Sequence, residues 1–174
     1  MFSVNYSDYS SINLIKCINL SYFKSKNVTT MRNMFAGCKN LIKIIFPSSF
    51  DTKSVTDMSQ MFQYCENLKE INLSYFNTKN VINMNAMFQG CYNLLELNLA
   101  SFKTRNVENM DNMFEGCENL KKLDLFSFEC EKTKTLLDMF SSCYSLKDIT
   151  INKDLDKIKE IIEETFLDFP NINY

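Results

Sequence analysis

Hydrophobic and polar residues follow a pattern that recurs five times along the chain. Residues 76–99 (FNTKNVINMNAMFQGCYNLLELNL) and 102–125 (FKTRNVENMDNMFEGCENLKKLDL) share the frame F-x-T-x-x-V-x-x-M-x-x-M-F-x-x-C-x-N-L-x-x-L-x-L. The Met-Phe pair of this frame begins at Met34, Met61, Met87, Met113 and Met139, in steps of 27, 26, 26 and 26 residues. A fixed period of this length predicts a solenoid, because one such repeat cannot bury its own apolar face.

The first half of each repeat has the spacing of a short helix. In the third copy the apolar positions are spaced 3, 3, 1 and 3: Val81, Met84, Met87, Phe88 and Cys91. This spacing predicts one buried face of a helix of about ten residues, which only neighbouring copies could stabilise. Asn80 stands at the expected N-cap, and Gly37, Gly90 and Gly116 stand where a helix end uses a left-handed residue.

The second half of each repeat has the spacing of a strand. Leu94, Leu97 and Leu99 give L-x-x-L-x-L, whose last two positions alternate with polar residues. We therefore expect successive copies to pair their strands in parallel. The phenylalanine that opens each frame should stack into an aromatic spine: Phe23, Phe50, Phe76, Phe102 and Phe128.

The two ends of the chain depart from the repeat. Residues 1–22 hold a degenerate first copy that we interpret as an N-terminal cap, and residues 23–153 hold the five-copy solenoid. Residues 154–174 form a C-terminal cap and tail, with a helix predicted from Asp154 to Leu167 by the stripe Leu155, Ile158, Ile162, Phe166 and Phe169. A partner-binding or membrane-surface helix is the alternative, although its mixed charge argues against a membrane.

The repeat resembles a known family. L-x-x-L-x-L followed by a crossover is typical of leucine-rich repeats. The portion M-F-x-x-C-x-N-L is similar to the BspA-like branch, and within it to the 26-residue repeat of bacterial surface proteins and lipoproteins, over residues 23–151. The resemblance implies an α/β leucine-rich-repeat solenoid with a parallel sheet on one face and short helices on the other. It also implies a cell-surface or secreted location and a function in adhesion, without catalysis.

One position departs from the general leucine-rich repeat. There an Asn or Cys satisfies backbone groups at the turn, whereas this chain has Phe102 and its equivalents. We expect Thr52, Thr78 and Thr104, two residues further on, to bond the backbone instead.

Composition limits the classes of function. The formal net charge is −2, so the whole molecule is not attracted to nucleic acid or an anionic membrane, and we expect neither nucleic-acid binding nor membrane insertion. The amino terminus, MFSVNYSDYSS, has no basic start and no apolar run, so we expect no signal peptide in this chain. This expectation conflicts with the location that the resemblance implies, so either the protein stays in the cytoplasm or this chain is a mature or excised segment of a longer exported protein.

The cysteines and the absence of histidine argue against catalysis. Five of the seven cysteines occupy one repeat position and should form a buried column: Cys38, Cys65, Cys91, Cys117 and Cys143. Without histidine, a Cys or Ser nucleophile has no imidazole base and a zinc site lacks a common ligand. We expect no enzyme activity, no cofactor and no metal.

Two exposed surfaces are candidates for binding a protein or glycan ligand. The first is the outward side of the strands, which is polar and mostly acidic in its middle: Glu70, Asn72, Glu96, Asn98, Lys122 and Asp124. The second is a basic row ahead of the predicted helices that could meet a polyanion: Lys26, Lys53, Lys79 and Arg105, ending at Glu131. Either surface could instead be ordinary solvated surface.

The sequence thus favours a monomeric, non-catalytic recognition module. A surface adhesion protein is the first interpretation, and an intracellular protein-interaction scaffold with reduced cysteines is the second. Neither the ligand nor the face that binds it follows from the sequence.

Overall fold

The computed structural model describes residues 14–166 and 171–173, which form a solenoid of about six turns. Its strands are β1 (Cys17–Asn19), β2 (Lys43–Ile45), β3 (Glu96–Asn98), β4 (Lys122–Leu125), β5 (Asp148–Ile151) and β6 (Asn171–Asn173). One helix, α1 (Asp156–Thr165), follows β5 in the described part of the chain. The predicted solenoid with parallel strands is confirmed.

The strands pair in parallel in two sheets, β1–β2 and β3–β4–β5–β6. Glu96 pairs with Lys122, and Leu97 pairs with Leu123, which is the register that a 26-residue repeat demands. Residues 70–72 lie between the two sheets and contain no assigned strand. Leucines on the strands point inward and are buried, whereas their polar neighbours point outward, because side chains alternate between the two faces of a strand.

The predicted short helices are wrong. The segments from Val to Cys of each repeat, here called the turn segments (residues 28–38, 55–65, 81–91, 107–117 and 133–143), form turns. Their amides bond to the next repeat instead of to the preceding helical turn: those of Met84, Ala86 and Phe88 donate to the carbonyls of Asn109, Asp111 and Met113 at 2.8–2.9 Å. The same bonds, with single parallel bridges such as Asn83–Asn109, join every pair of neighbouring turn segments.

Positive φ angles explain why no helix forms. The residue before each Met-Phe pair is left-handed, with φ of 53° at Ala86 and 56° at Asn112. A second left-handed residue follows four positions later, at 70° for Gly90 and 71° for Gly116. An α-helix requires φ near −63°, so two such residues interrupt it within one turn. The five apolar positions of the third copy are nevertheless all fully buried, so the pattern predicted the buried side chains correctly and the backbone wrongly.

The predicted capping function of Asn80 is also wrong. Its side-chain amide donates to the carbonyl of Lys53 in the preceding repeat at 2.8 Å. Asn106 makes the same bond to the carbonyl of Lys79 at 2.9 Å. These asparagines therefore connect neighbouring coils, and they cap no helix.

Two columns of phenylalanine rings fill the interior. The predicted spine stacks with ring centroids 6.1 Å apart for Phe23–Phe50, 5.4 Å for Phe50–Phe76 and 6.5 Å for Phe76–Phe102. A second column, built from the Met-Phe pairs, has spacings of 5.4–5.9 Å: Phe35, Phe62, Phe88, Phe114 and Phe140. Burial of these rings supplies much of the hydrophobic stabilisation between coils.

The threonine prediction is confirmed. The Thr52 hydroxyl donates to the carbonyl of Asn77 at 3.0 Å and accepts from the amide of the same residue at 2.7 Å. Thr78 and Thr104 make the equivalent pairs of bonds, and all three threonines are fully buried. In the last copy Cys130 takes this position.

The C-terminal helix is confirmed, two residues shorter than predicted at each end. Ile158 and Ile162 of α1 are buried against the last coil, and the Phe166 ring lies 6.4 Å from that of Phe140. The Lys157 ammonium donates to the carbonyl of Thr133 at 2.9 Å. The helix therefore covers the end of the core; Phe169, also assigned to its stripe, lies outside the described residues.

Candidate functional site

The six residues predicted on the outer side of the strands are all exposed: Glu70, Asn72, Glu96, Asn98, Lys122 and Asp124. We call this surface the strand face. The sheet register places Glu96 beside Lys122 and Asn98 beside Asp124. Glu70 and Asn72 occupy the same positions in the preceding copy, where no strand is assigned.

Half of the strand face serves the fold. The side-chain oxygen of Asn98 accepts the amide of Ala100 at 3.0 Å, and that of Asp124 accepts the amide of Phe126 at 2.9 Å. Asn72 makes the same bond to Ser74 at 3.0 Å. These are Asx turns that end the strands, so the choice of Asn or Asp here follows from backbone geometry. Their remaining polar atoms face solvent.

The other half carries charge. Glu70 and Glu96 have no ion-pair partner among the described residues, whereas the Lys122 ammonium lies 3.8 Å from the Asp148 carboxylate. The middle of the strand face is therefore acidic, and its C-terminal part is internally paired. An exposed pair of this kind contributes about 0–1 kcal/mol to stability.

Sequence reasoning missed a set of exposed apolar side chains around the strand face. Ile42 and Leu95 stand directly before the first polar column and are 49% and 41% exposed. Tyr75 and Phe126 stand just beyond the strands and are 47% and 57% exposed. The sequence signal was weak, because the column of Ile42 and Leu95 carries lysine in the other copies, at Lys69, Lys121 and Lys147. Exposed apolar and aromatic side chains beside polar groups are candidates for contact with a partner.

The basic row is exposed, and part of it is neutralised. Lys26, Lys53, Lys79 and Arg105 all face solvent. The Lys53 ammonium lies 3.3 Å from the Asp51 carboxylate, and the Arg105 guanidinium lies 3.0 Å from the Glu131 carboxylate.

A polar groove of about 370 Å³ runs beside this row across four coils. Its lining is Ser54, Thr56, Asn80, Ile82, Asn106, Glu108 and Lys132. Most of its polar groups bond to each other or to the backbone: Lys132 donates to the Asn106 side chain at 2.8 Å, and Lys134 pairs with Glu108. The Lys134 ammonium lowers the pKa of the Glu108 carboxyl, which keeps that carboxyl ionised. The groove is therefore largely satisfied by its own side chains.

The cysteine column forms a chain of weak hydrogen bonds inside the core. The Cys91 thiol donates to the carbonyl of Phe62 at 3.2 Å, and the Cys143 thiol donates to that of Phe114 at 3.1 Å. Burial raises the pKa of both thiols to about 12. Because the thiolate is the reactive form, these cysteines are poor nucleophiles near neutral pH. All cysteines in the described residues are free, and no group of three metal-ligating side chains occurs there.

No helix of the described residues is both long enough and apolar enough to cross a membrane.

These features define a repeat protein of the solenoid class, with stacked side chains inside and regular columns of side chains outside. The chain belongs to the family described as Mycoplasma protein of unknown function, DUF285, whose sequence profile matches residues 5–96 and 69–173. None of the curated proteins compared with the chain matches it significantly.

Proposed function

We propose that the chain is a non-catalytic recognition module whose strand face binds a protein or glycan ligand. The observation that carries the proposal is the combination of unpaired carboxylates and exposed apolar side chains on one side of the solenoid. Glu70 and Glu96 supply the acidic centre, and Ile42, Leu95 and Tyr75 flank it. Apolar and aromatic anchors beside polar groups are common at protein interfaces.

The frame suits this function because its interior is rigid. Phenylalanine stacks, threonine bonds and backbone ladders connect every coil to the next, so the outer side chains stand at fixed spacing. A pre-organised surface loses little conformational entropy on binding. Solenoids in general use such extended surfaces for recognition.

The chemistry of the described side chains supports a non-catalytic function. The described part of the chain presents buried, protonated thiols, and the sequence contains no histidine. Glu70 and Glu96 are exposed and belong to a repeating column. We therefore assign them to ligand contact rather than to acid–base catalysis.

The resemblance to BspA-like leucine-rich repeats supports placing this module at the cell surface, in adhesion. An intracellular scaffold is the alternative. Protease shaving of intact source cells separates the two: the adhesion proposal expects peptides from residues 50–125 to be released before lysis, while a cytosolic control protein is retained. Release only after lysis would make the scaffold the working interpretation.

Site-specific crosslinking tests the strand face itself. A photoreactive residue placed at Glu96 should crosslink to a discrete protein or glycoconjugate when the purified chain is applied to host or neighbouring cells. The matched control carries the same group at Glu118, an exposed carboxylate in the loop between turn segment and strand. Equal crosslinking from both positions, or none from Glu96, would contradict the proposal.

The basic row is the alternative surface, for a sulfated glycan. A heparin column tests it, because attraction to a charge row weakens strongly when added salt shortens the Debye length to about 3 Å. The basic row would be favoured over the strand face if the chain bound the column in low salt, eluted in high salt, and lost this binding in a Lys26→Ala/Lys79→Ala variant.

A further inference from the structure

The last repeat leaves a row of backbone groups without partners. In the fourth repeat the amides of Met110, Asn112, Phe114 and Gly116 donate to carbonyls of the fifth. The corresponding amides of the fifth repeat, those of Leu136, Asp138, Phe140 and Ser142, find no acceptor among the described residues. The carbonyl of Lys134 likewise receives no donor there, whereas its equivalent in Glu108 accepts the amide of Lys134 at 2.9 Å. This edge has the pattern of a ladder that ends one coil too early.

A groove of about 600 Å³ opens along this edge, between the last turn segment and α1. One wall consists of residues 134–138 with Ser141, and the other consists of Ile161, Glu164 and Thr165. Helix α1 thus covers the end of the core and leaves the amides of Leu136 and Asp138 beside an open groove. The volume lies within the roughly 300–1,000 Å³ typical of binding pockets.

Asp111 of the preceding repeat holds this edge in place. One carboxylate oxygen of Asp111 accepts both the Thr135 hydroxyl and the amide of Leu137, each at 2.6 Å. These bonds fix Thr135 and Leu137, so the unpaired amide of Leu136 lies between two anchored residues and that of Asp138 directly follows one. A rigid row of donors binds an acceptor at a lower entropic cost than a mobile loop does.

The side chains of the groove select a type of partner. The carboxylates of Asp138 and Glu164 have no ion-pair partner in the described part of the chain, whereas the Lys134 ammonium is paired with Glu108. Leu137 is 65% exposed, and Ile161 is half-buried beside it. The groove therefore combines two negative charges with apolar surface.

We propose that this groove binds an extended peptide segment of a partner protein that carries a lysine or arginine. The segment adds to the solenoid as the next coil would: one of its amides donates to the carbonyl of Lys134, and its carbonyls accept the amides of Leu136 and Asp138. Its basic side chain meets Asp138 and Glu164, and an apolar neighbour covers Leu137. Addition of an extended segment to an unpaired edge is a common mode of peptide recognition. This site is separate from the strand face and does not depend on the function proposed for that surface.

Hydrogen exchange of the free chain is the first test. The amides of Leu136 and Asp138 should exchange at least roughly tenfold faster than those of Met110 and Asn112, their hydrogen-bonded equivalents one repeat earlier. Equal protection of the two pairs would show that the edge is already covered, and would overturn the proposal.

Peptide titration is the second test. The probe is a short blocked peptide of alternating Val and Lys, and its control alternates Val and Glu. The lysine peptide should protect the amides of Leu136 and Asp138, and the variant D138N/E164Q should weaken its binding roughly five- to tenfold. Asn tolerates the positive φ of 52° at position 138, so this variant should keep its fold. The matched control is E118Q, which should leave binding unchanged.

Three results would overturn the assignment. If the glutamate peptide protected the amides of Leu136 and Asp138 as well as the lysine peptide does, or if neither peptide protected them, a cationic extended ligand would be contradicted. If E118Q weakened peptide binding as much as D138N/E164Q does, the loss would reflect the net charge of the chain and not contacts in the groove. Concentration-dependent protection of the same amides without peptide, together with a larger sedimentation coefficient, would assign the edge to a second copy of the chain.

Discussion

The hydroxyl of Thr78 makes two hydrogen bonds to the backbone of Lys103, donating to its carbonyl at 3.0 Å and accepting from its amide at 2.7 Å. The two residues belong to neighbouring coils, and Thr78 is fully buried. One side chain thus satisfies two backbone groups of the next repeat at a point that water does not reach. A valine of the same shape would leave both groups unpaired.

Replacing Thr78 with valine should lower the free energy of unfolding by about 2–4 kcal/mol, because each unsatisfied buried group costs about 1–3 kcal/mol. Urea unfolding followed by circular dichroism measures this loss. The control is Thr56→Val, since the exposed Thr56 hydroxyl makes one 3.3 Å bond to the carbonyl of Thr29. That change should cost less than about 0.5 kcal/mol. Equal losses in the two variants would contradict the importance of the buried threonine bonds.

Replacing Phe88 with alanine should cost about 3–5 kcal/mol, as expected for a fully buried aromatic ring. Its ring stacks between those of Phe62 and Phe114 at 5.4 and 5.9 Å, so the cavity would interrupt a continuous column. The matched surface change, Lys79→Ala, should alter stability by less than about 0.5 kcal/mol. Chemical unfolding of both variants checks the assignment of inward and outward faces. Comparable losses of unfolding free energy in the two variants would contradict that assignment.

The repeat period predicted most of this fold because a solenoid is defined by contacts between equivalent residues. Once Met87 and Met113 are known to stand one period apart, the parallel register of Glu96 with Lys122 follows directly. The buried thiols and the paired threonine bonds follow from the same stacking.

The helix prediction failed because side-chain spacing does not determine the backbone path. Met84, Met87 and Phe88 point inward in this structure as they would in a helix, yet Ala86 is left-handed between them. A left-handed alanine gives no signal in a single sequence, and inter-coil hydrogen bonds offset its conformational cost. The left-handed conformation was predictable at the glycines, Gly37, Gly90 and Gly116.

The sequence predicted where the strand face lies, but it did not predict which of its side chains bond to the backbone. Alternation with buried leucines identified Glu96 and Asn98 as outward, but it did not show that Asn98 closes an Asx turn. The free edge at Leu136 escaped prediction for a related reason. Whether the backbone amides at this edge find partners depends on where α1 packs, and the residue types of the edge do not indicate that position.

Gly90 is required both by its left-handed backbone and by the closeness of the Tyr64 ring, and substitutions can separate these two effects. Its φ is +70°, and a β-carbon there would lie 2.3 Å from Cδ1 of Tyr64. Gly37 has a similar φ of +76°, but a β-carbon added to it would have no atom within 4 Å. Gly37→Ala should therefore cost about 1–2 kcal/mol from the left-handed backbone alone.

Gly90→Ala should cost more than Gly37→Ala, because the methyl group also displaces the Tyr64 ring. The double variant Tyr64→Ser/Gly90→Ala should recover that excess, since serine occupies the equivalent position at Ser142. Denaturant unfolding of the single and double variants measures the coupling. Identical losses at the two glycines would show that the ring moves away without cost.

The buried thiols predict a loss of stability in alkaline solution. Burial raises the pKa of Cys91 to about 12 in the folded chain, against an ordinary value of 9.0. Between these values the unfolded chain releases the thiol proton and the folded chain retains it, so the free energy of unfolding falls as pH rises above about 9. Below that pH the contribution is constant.

The slope is at most about 1.4 kcal/mol per pH unit for each thiol. Urea unfolding under reducing conditions at about pH 7 and pH 10 measures it. Cys91→Ala should reduce the dependence without abolishing it, because burial also raises the pKa of Cys65, Cys117 and Cys143. The control Cys17→Ala changes an exposed cysteine and should keep the full dependence. Because lysine titration is common to all three proteins, an unchanged slope in Cys91→Ala would mean that this thiol ionises equally easily in the folded and unfolded chain.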